Sequence, residues 1–215
     1  MLPAFVPPQL DALPLMPGRP LLAVDADEVL VVFAEHFDRF LRARGFRLNL
    51  TEYRLDGAIL ELDGARAGLE QSWTLIEDFF AAETRHQAAI AGAAAGLATL
   101  VSQVQIIVLT NVPRFAREDR IANLAGLGMD YPLVASEGGK GRVLAELARR
   151  VRAPVAFIDD SPVQIQSAAR HAAAILRIHF VGSPMVRAVA PQVPEAHHAP
   201  PDWPAIVEIL SRHFG

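Results

Sequence analysis

The chain has 215 residues, is 52% hydrophobic and 20% charged, and carries a net charge of −4. That balance supports a sizeable core, in one domain or one domain with an insertion, and excludes global disorder. There is no cysteine, which removes disulfides, thiol catalysis and cysteine metal sites and fits a reducing, cytoplasmic setting. There is also no basic excess of the kind that marks a nucleic acid polymer as a partner.

Residues 1–19 lack a basic stretch and are interrupted by prolines. They do not read as a signal peptide and are expected to form an extended lead-in on the surface. PLLAVDA (20–26) is the first of four short apolar runs; VQIIVLT (104–110), PVAFIDD (154–160) and AAILRIHF (173–180) are the others. Runs that stay apolar without alternating suit strands buried on both faces, as in a parallel sheet. YPLVAS (131–136) is a shorter fifth candidate. About 75 residues separate the first two strands, far more than a single crossover helix needs. An insertion is therefore expected over residues 34–89, with the core formed by 20–33 and 90–215. Within it, Phe33, Phe37, Phe40 and Leu41 share one helical face, a polar piece surrounds NLTEYRLDG, and SWTLIEDFFAAE reads as a helix packed through Trp73, Phe79 and Phe80. The insertion is thus expected to be a small, mainly helical cap.

Residues 91–109 are apolar over a membrane-like length. Ser102, Gln103 and Gln105 interrupt them, and the β-branched residues gather at the end, so a helix, a turn and a buried strand are expected, with no membrane association. Helical patterns follow in PRFAREDRIANLAGLG, beginning near Pro113, and in KGRVLAELARRV, where Val143, Leu144, Leu147 and Val151 share a face. SPVQIQSAARHA offers Ser161 as an N-cap, and DWPAIVEILSRHF repeats that arrangement with Asp202. Strand alternating with helix predicts a doubly wound α/β fold. Between the last two helices lies a proline-rich connection with adjacent His197 and His198, read as a solvated pair because two donors fall short of a metal set.

The first strand runs into Asp25 and Asp27, with Glu28 behind. A turn or an N-cap explains one aspartate, but not two acids at i and i+2 with a third beside them. The second strand ends in Thr110 and Asn111, and the third in Asp159 and Asp160. In open α/β sheets ligands bind beyond the carboxyl ends of the strands, so acids and a hydroxyl converge on one edge. SEGGKG lies between these strands and places Lys140 at a helix start. Clustered carboxylates need a counter-charge, which Mg²⁺ with its preference for oxygen ligands supplies. A lysine and a threonine hydroxyl suit a phosphate.

These residues resemble the motifs of the haloacid dehalogenase superfamily, here over residues 20–180 outside the cap. VDADEVL is similar to the first motif, VLTN to the second, Lys140 to the third and FIDDSP to the fourth. The resemblance implies a Rossmann-like core with a C1 cap and a hydrolase that forms an aspartyl-phosphate on Asp25. It implies that Asp27 protonates the leaving group, then activates water, and lends its backbone carbonyl to Mg²⁺. It further implies that Thr110 binds the phosphoryl group, that Asn111 beside it is a phosphate-side or structural residue counted with Thr110 and Lys140 in the phosphate-binding set, and that Lys140 offsets charge on Asp25 and the phosphate. Asp25, Asp159 and Asp160 complete the metal set, with either Asp159 or Asp160 as the direct ligand of the pair. The dehalogenase branch lacks the second acid, so Asp27 favours phosphoryl transfer.

Glu28 departs from the family, which usually has glycine there. Arg114 is read as a solvated helix-start arginine. Glu35, His36, Arg54 and Arg66 are candidates to reach a substrate from the cap. The expected activity is hydrolysis of a small phosphorylated metabolite by a monomer or homodimer. A phosphomutase, a 5′(3′)-nucleotidase-like activity, suggested by the aromatic helix after DADEV, and a non-catalytic metal- or phosphate-binding protein are the alternatives.

Overall fold

A computed structural model describes residues 1–215. The chain forms, in order, helix α1 (Val6–Asp11), strand β1 (Leu21–Val24), helix α2 (Ala34–Arg42), strands β2 (Phe46–Leu48) and β3 (Ile59–Glu61), and helices α3 (Leu69–Glu83) and α4 (Ala93–Leu100). It continues with strand β4 (Gln105–Thr110), helix α5 (Arg117–Gly126), strand β5 (Leu133–Ala135), helix α6 (Gly141–Val151), strand β6 (Val155–Asp159), helix α7 (Pro162–His171) and strand β7 (Leu176–His179). Two last helices, α8 (Pro184–Arg187) and α9 (Trp203–Phe214), close the chain.

Five strands form a parallel sheet in the order β5-β4-β1-β6-β7. The continuous apolar runs follow from burial on both faces. Leu22, Val24, Val108 and Ile158 enter one core with Leu97, Leu124 and Trp203. Leu21, Ala23, Leu109 and Phe157 enter the other with Leu144, Leu147 and Ile165. Successive strand residues point to opposite faces, so one run fills two cores. The chain builds outward from β1 through β4 to β5, then crosses back to β6 and β7. The reversal lies at β1, and register aligns Val24 with both Val108 and Ile158. Asp25, Thr110 and Asp159 therefore emerge at one edge beside the switch point.

The insertion packs a third apolar cluster. Phe79 is its hub, with ring centroids 5.2 Å from Phe33, 5.0 Å from Phe37 and 5.5 Å from Phe40. It also contains the antiparallel pair β2-β3, which the mainly helical expectation did not include; three-residue strands are too short to show a period. Trp73, expected in the packing face, is 60% exposed.

The N-terminal segment differs from the extended lead-in expected of it. Residues Val6–Asp11 are helical, with prolines in the first turn where their missing N–H groups cost nothing. Val6 and Leu10 are buried in the core shared with α6. Gln9 clamps the β5 edge: its Oε1 accepts from Ala135 N at 2.9 Å and its Nε2 donates to Ala135 O at 2.9 Å. The apolar 91–109 stretch splits into α4 and β4, and no helix is long and apolar enough to cross a membrane. A 3₁₀ turn over Arg114–Ala116 precedes α5, so that helix begins later than Pro113 suggested.

Candidate active site

Each strand end delivers its side chain because the strand stops there. Asp25 N–H still donates to Ile158 O at 2.9 Å, which fixes the first acid beside β6. Lys140 arrives from α6. Gly138, at φ 68°, turns the preceding loop, and Gln164 accepts from Lys140 N at 2.8 Å while donating to Gly138 O at 3.0 Å. Asn111 Nδ2 donates to the same carbonyl at 2.9 Å. Gly141 has no alternative at its position, since a Cβ there would lie 2.0 Å from Ser167 O. This close approach of α6 to α7 seats the lysine.

Lys140 Nζ lies 2.7 Å from Asp25 Oδ1 and 2.7 Å from Asp159 Oδ2. Only the Asp159 contact has hydrogen-bond alignment, and the buried Asp25 Oδ1 is left without a hydrogen-bond partner. Burial opposes the charge on Lys140, but Asp159 and Asp25 outweigh it and hold the ammonium above its ordinary range. Oxygens of Asp25, Asp159 and Asp160 all lie within 4.8 Å of one another. Three acids thus face one lysine. Burial pushes Asp159 and Asp160 above the usual carboxylate range, and their neighbouring acids add to the shift. A hard divalent cation fits this set: oxygen donors only, closely spaced and short of positive charge.

Asp27 faces a different partner. Its Oδ1 accepts from Arg120 Nη2 at 2.7 Å and from Gln87 Nε2 at 3.3 Å. Arg120 is fully buried and also donates to Gln87 Oε1 at 2.7 Å and to Asn123 Oδ1 at 3.2 Å. Burial raises the Asp27 pKa, and Arg120 only partly offsets it. Arg120, Gln87 and Asn123 were not among the sequence candidates. In REDRIANLAG, Arg120 sits in a charged run that reads as a solvated face, and nothing local marks it as buried.

Glu28 takes φ 60°, a left-handed turn that glycine adopts more readily than a residue with a Cβ. Its Oε1 accepts from Phe33 N at 3.0 Å and Ala34 N at 2.6 Å, closing the start of α2. Its Oε2 is buried without a partner, and desolvation pushes its pKa to about 7. Gly182 N donates to Glu28 O at 2.7 Å and braces the turn.

Asp25, Asp27, Glu28, Asp159 and Asp160 line a cavity of about 320 Å³, whereas Arg120, Gln87 and Asn123 lie behind its wall. Thr110, Asn111 and Lys140 form its floor with the acids, and Leu50, Tyr53, Arg54 and Leu55 reach it from the insertion. Of the four cap candidates only Arg54 lines it. His36 pairs with Glu83 at 2.8 Å, Glu35 accepts from Ser183 Oγ at 2.8 Å, and Arg66 is exposed. Arg114 is exposed and lies over Phe5, away from the site. Tyr53, which carried no sequence signal, donates its hydroxyl to Asp160 Oδ2. His179 Nε2 donates to the Asp160 backbone carbonyl at 2.8 Å, since a carbonyl oxygen can only accept, and burial lowers the pKa of this imidazole. Ser161 precedes α7 as expected but caps nothing with its side chain; its N–H donates to Asp159 Oδ1 at 2.8 Å. His197 accepts from Arg177 N at 3.0 Å through Nδ1, which makes it a structural contact of the β7 edge.

No protein-family model and no curated protein sequence matches the chain. Solved structures do. A haloacid dehalogenase family hydrolase from Deinococcus radiodurans R1, with bound phosphate and sodium, is similar at TM-score 0.60 and 17% identity, covering 89% of this chain and 95% of that one. A haloacid dehalogenase-like hydrolase from Streptococcus pneumoniae gives TM-score 0.62 and 12% identity over 89% and 98% of the two chains. A D,D-heptose bisphosphate phosphatase from B. bronchiseptica, complexed with magnesium and phosphate, gives 0.54 and 15% over 90% and 99%. At these identities the likeness is one of fold, and it joins the order of β1, β4, α6 and β6 on which the four motifs stand. The chain has the α/β fold of the haloacid dehalogenase superfamily.

Proposed function

We propose that the protein is a Mg²⁺-dependent phosphatase of the cytoplasm that hydrolyses a small phosphomonoester through an aspartyl-phosphate on Asp25. The observation that carries this reading is Lys140 bridging Asp25 and Asp159 at the ends of adjacent strands, with Asp160 completing a compact oxygen cluster. A nucleophilic carboxylate must be kept charged yet close to an anionic phosphate. Lys140 meets part of that need, and a cation would be held by Asp25, Asp159, Asp160 and the Asp27 backbone carbonyl to supply the rest. When bound, Mg²⁺ would neutralise phosphoryl charge and orient it for in-line attack.

The chain's own groups do the rest. An Asp25 oxygen attacks phosphorus, and the bond to the leaving oxygen breaks as Asp27 delivers a proton to it. Asp27 then accepts a proton from water, which attacks the aspartyl-phosphate, frees phosphate and restores the Asp25 carboxylate. The raised pKa of Asp27 suits a group that must give and take that proton. Thr110 and Lys140 would bind the phosphoryl oxygens. Asn111 is tied to Gly138 and supports the loop that carries Lys140. The cavity of about 320 Å³ matches a small metabolite, and the insertion that covers it would act as the cap that excludes water.

The test is phosphate release from an aryl phosphate with Mg²⁺ or EDTA, for the native chain and Asp25→Asn. Release that needs Mg²⁺ and disappears in the variant is expected. Release that survives Asp25→Asn would remove the nucleophile assignment.

A further inference from the structure

Only one insertion residue hydrogen-bonds directly to a member of the acid cluster. Tyr53 lies between the exposed Glu52 and Arg54, on the polar loop that links β2 to β3, yet its ring turns inward and its hydroxyl donates to Asp160 Oδ2. Asp160 is then held from two sides, by Tyr53 at the carboxylate and by His179 at the backbone carbonyl. Its Oδ1 carries no hydrogen bond, and its carboxylate belongs to the group whose oxygens lie within 4.8 Å of one another. In the same cluster Asp25 Oδ1 has Lys140 Nζ at 2.7 Å and no aligned hydrogen bond, so one ammonium is all that offsets it. A phenol that fixes one carboxylate oxygen dictates where the other points. Such outer contacts govern metal affinity by holding the ligand in its binding orientation.

We propose that Tyr53 is a positioning residue for the metal: its hydroxyl orients Asp160 toward Asp25 and Asp159, so that cap closure and metal binding favour each other. The inference rests on the metal-dependent reading above. Its second half follows from linkage. If the loop in its closed position raises metal affinity by some factor, metal raises the population of the closed loop by that factor. The metal would thus help to shut the cavity before a substrate is turned over.

The test is Mn²⁺ binding by the whole chain, read as the loss of the free-ion electron paramagnetic resonance signal. It is run for the native protein, Tyr53→Phe, Asp160→Asn and the double variant, with circular dichroism to confirm folding. Tyr53→Phe keeps the ring and removes only the hydroxyl. It is expected to raise the Mn²⁺ Kd about tenfold, and the double variant should be no weaker than Asp160→Asn alone, because both changes cut one contact. Trypsin cleavage after the exposed Arg54 supplies a readout without metal titration: Mn²⁺ should slow it in the native chain and not in Tyr53→Phe. Native binding with an unchanged Kd in Tyr53→Phe, or additive losses in the double variant, would overturn the inference and leave the phosphatase reading standing. Absence of Mn²⁺ binding by the native chain would overturn both.

Discussion

Asp25 and Asp27 leave the same strand two residues apart, and each meets a buried cation, but the two pairs are built differently. Asp25 meets Lys140, a cation shared with Asp159 and short of neutralising the acids around it. Asp27 meets Arg120, whose guanidinium also binds Gln87 and Asn123. Asn123 in turn donates to Arg85 O at 3.2 Å and Gln87 O at 2.8 Å, at the point where the insertion returns to the core. The first pair sits in an acid cluster that is short of positive charge. The second belongs to a polar network that ties an acid to the base of the insertion. A flexible ammonium suits the first and a planar, multi-donor guanidinium the second.

The comparison can be broken at either end. Asp25→Asn should reduce turnover by roughly 10⁴-fold or more while leaving the circular dichroism spectrum unchanged; Asp27→Asn, which removes a proton carrier and spares the nucleophile, should cost about 10²–10⁴-fold. Equal losses would erase the distinction drawn between the two acids. Lys140→Met removes the only cation facing Asp25 and Asp159, and should cost about 3–5 kcal/mol in urea unfolding, with part restored by millimolar Mg²⁺.

Glu28 sharpens the comparison through pH. Its carboxyl is held near 7 in the fold against an ordinary 4.5, chiefly by desolvation, so the folded chain keeps a proton that the unfolded chain has lost. The stability it lends is complete below about pH 4.5 and is lost as pH rises to about 7, by up to about 3 kcal/mol. Urea midpoints of Glu28→Gln should therefore fall less steeply than those of the native chain across this window. Parallel curves would mean that Glu28 is ionised in the fold.

Arg120→Met should lower kcat by about 10²-fold with KM little changed, because it displaces Asp27 without touching the cavity floor formed by Thr110 and Lys140. A change in KM alone would place Arg120 in substrate binding. The two sides of α3 separate in stability: Phe79→Ala should cost about 3–5 kcal/mol, and Trp73→Ala, 60% exposed, should give the smallest effect, within about 0.5 kcal/mol. Thermal unfolding reads both.

Local composition made the parallel sheet legible, since a strand buried on both faces must be apolar throughout, and the acids that end β1 and β6 interrupt that rule visibly. Lys140 was legible for a related reason: glycines and a helix start announce a loop built to present one side chain. The extended reading of residues 1–19 failed because prolines at the start of a helix look like prolines in a coil, and only the burial of Val6 and Leu10 against α6 tells them apart. Glu28 showed as a departure, yet its φ of 60° and its contact with the start of α2 depend on how the chain turns into the insertion.

The sequence by itself determined which acids, hydroxyl and lysine meet at the sheet edge, because strand ends and motif order are local properties of the chain. The tertiary structure alone decided which cation each acid faces, and that Tyr53 reaches Asp160. Those pairings join residues 93 and 107 positions apart. Nothing in the local pattern of either partner records such a contact; it exists only once folding has brought residues far apart in the chain to the same edge of the sheet.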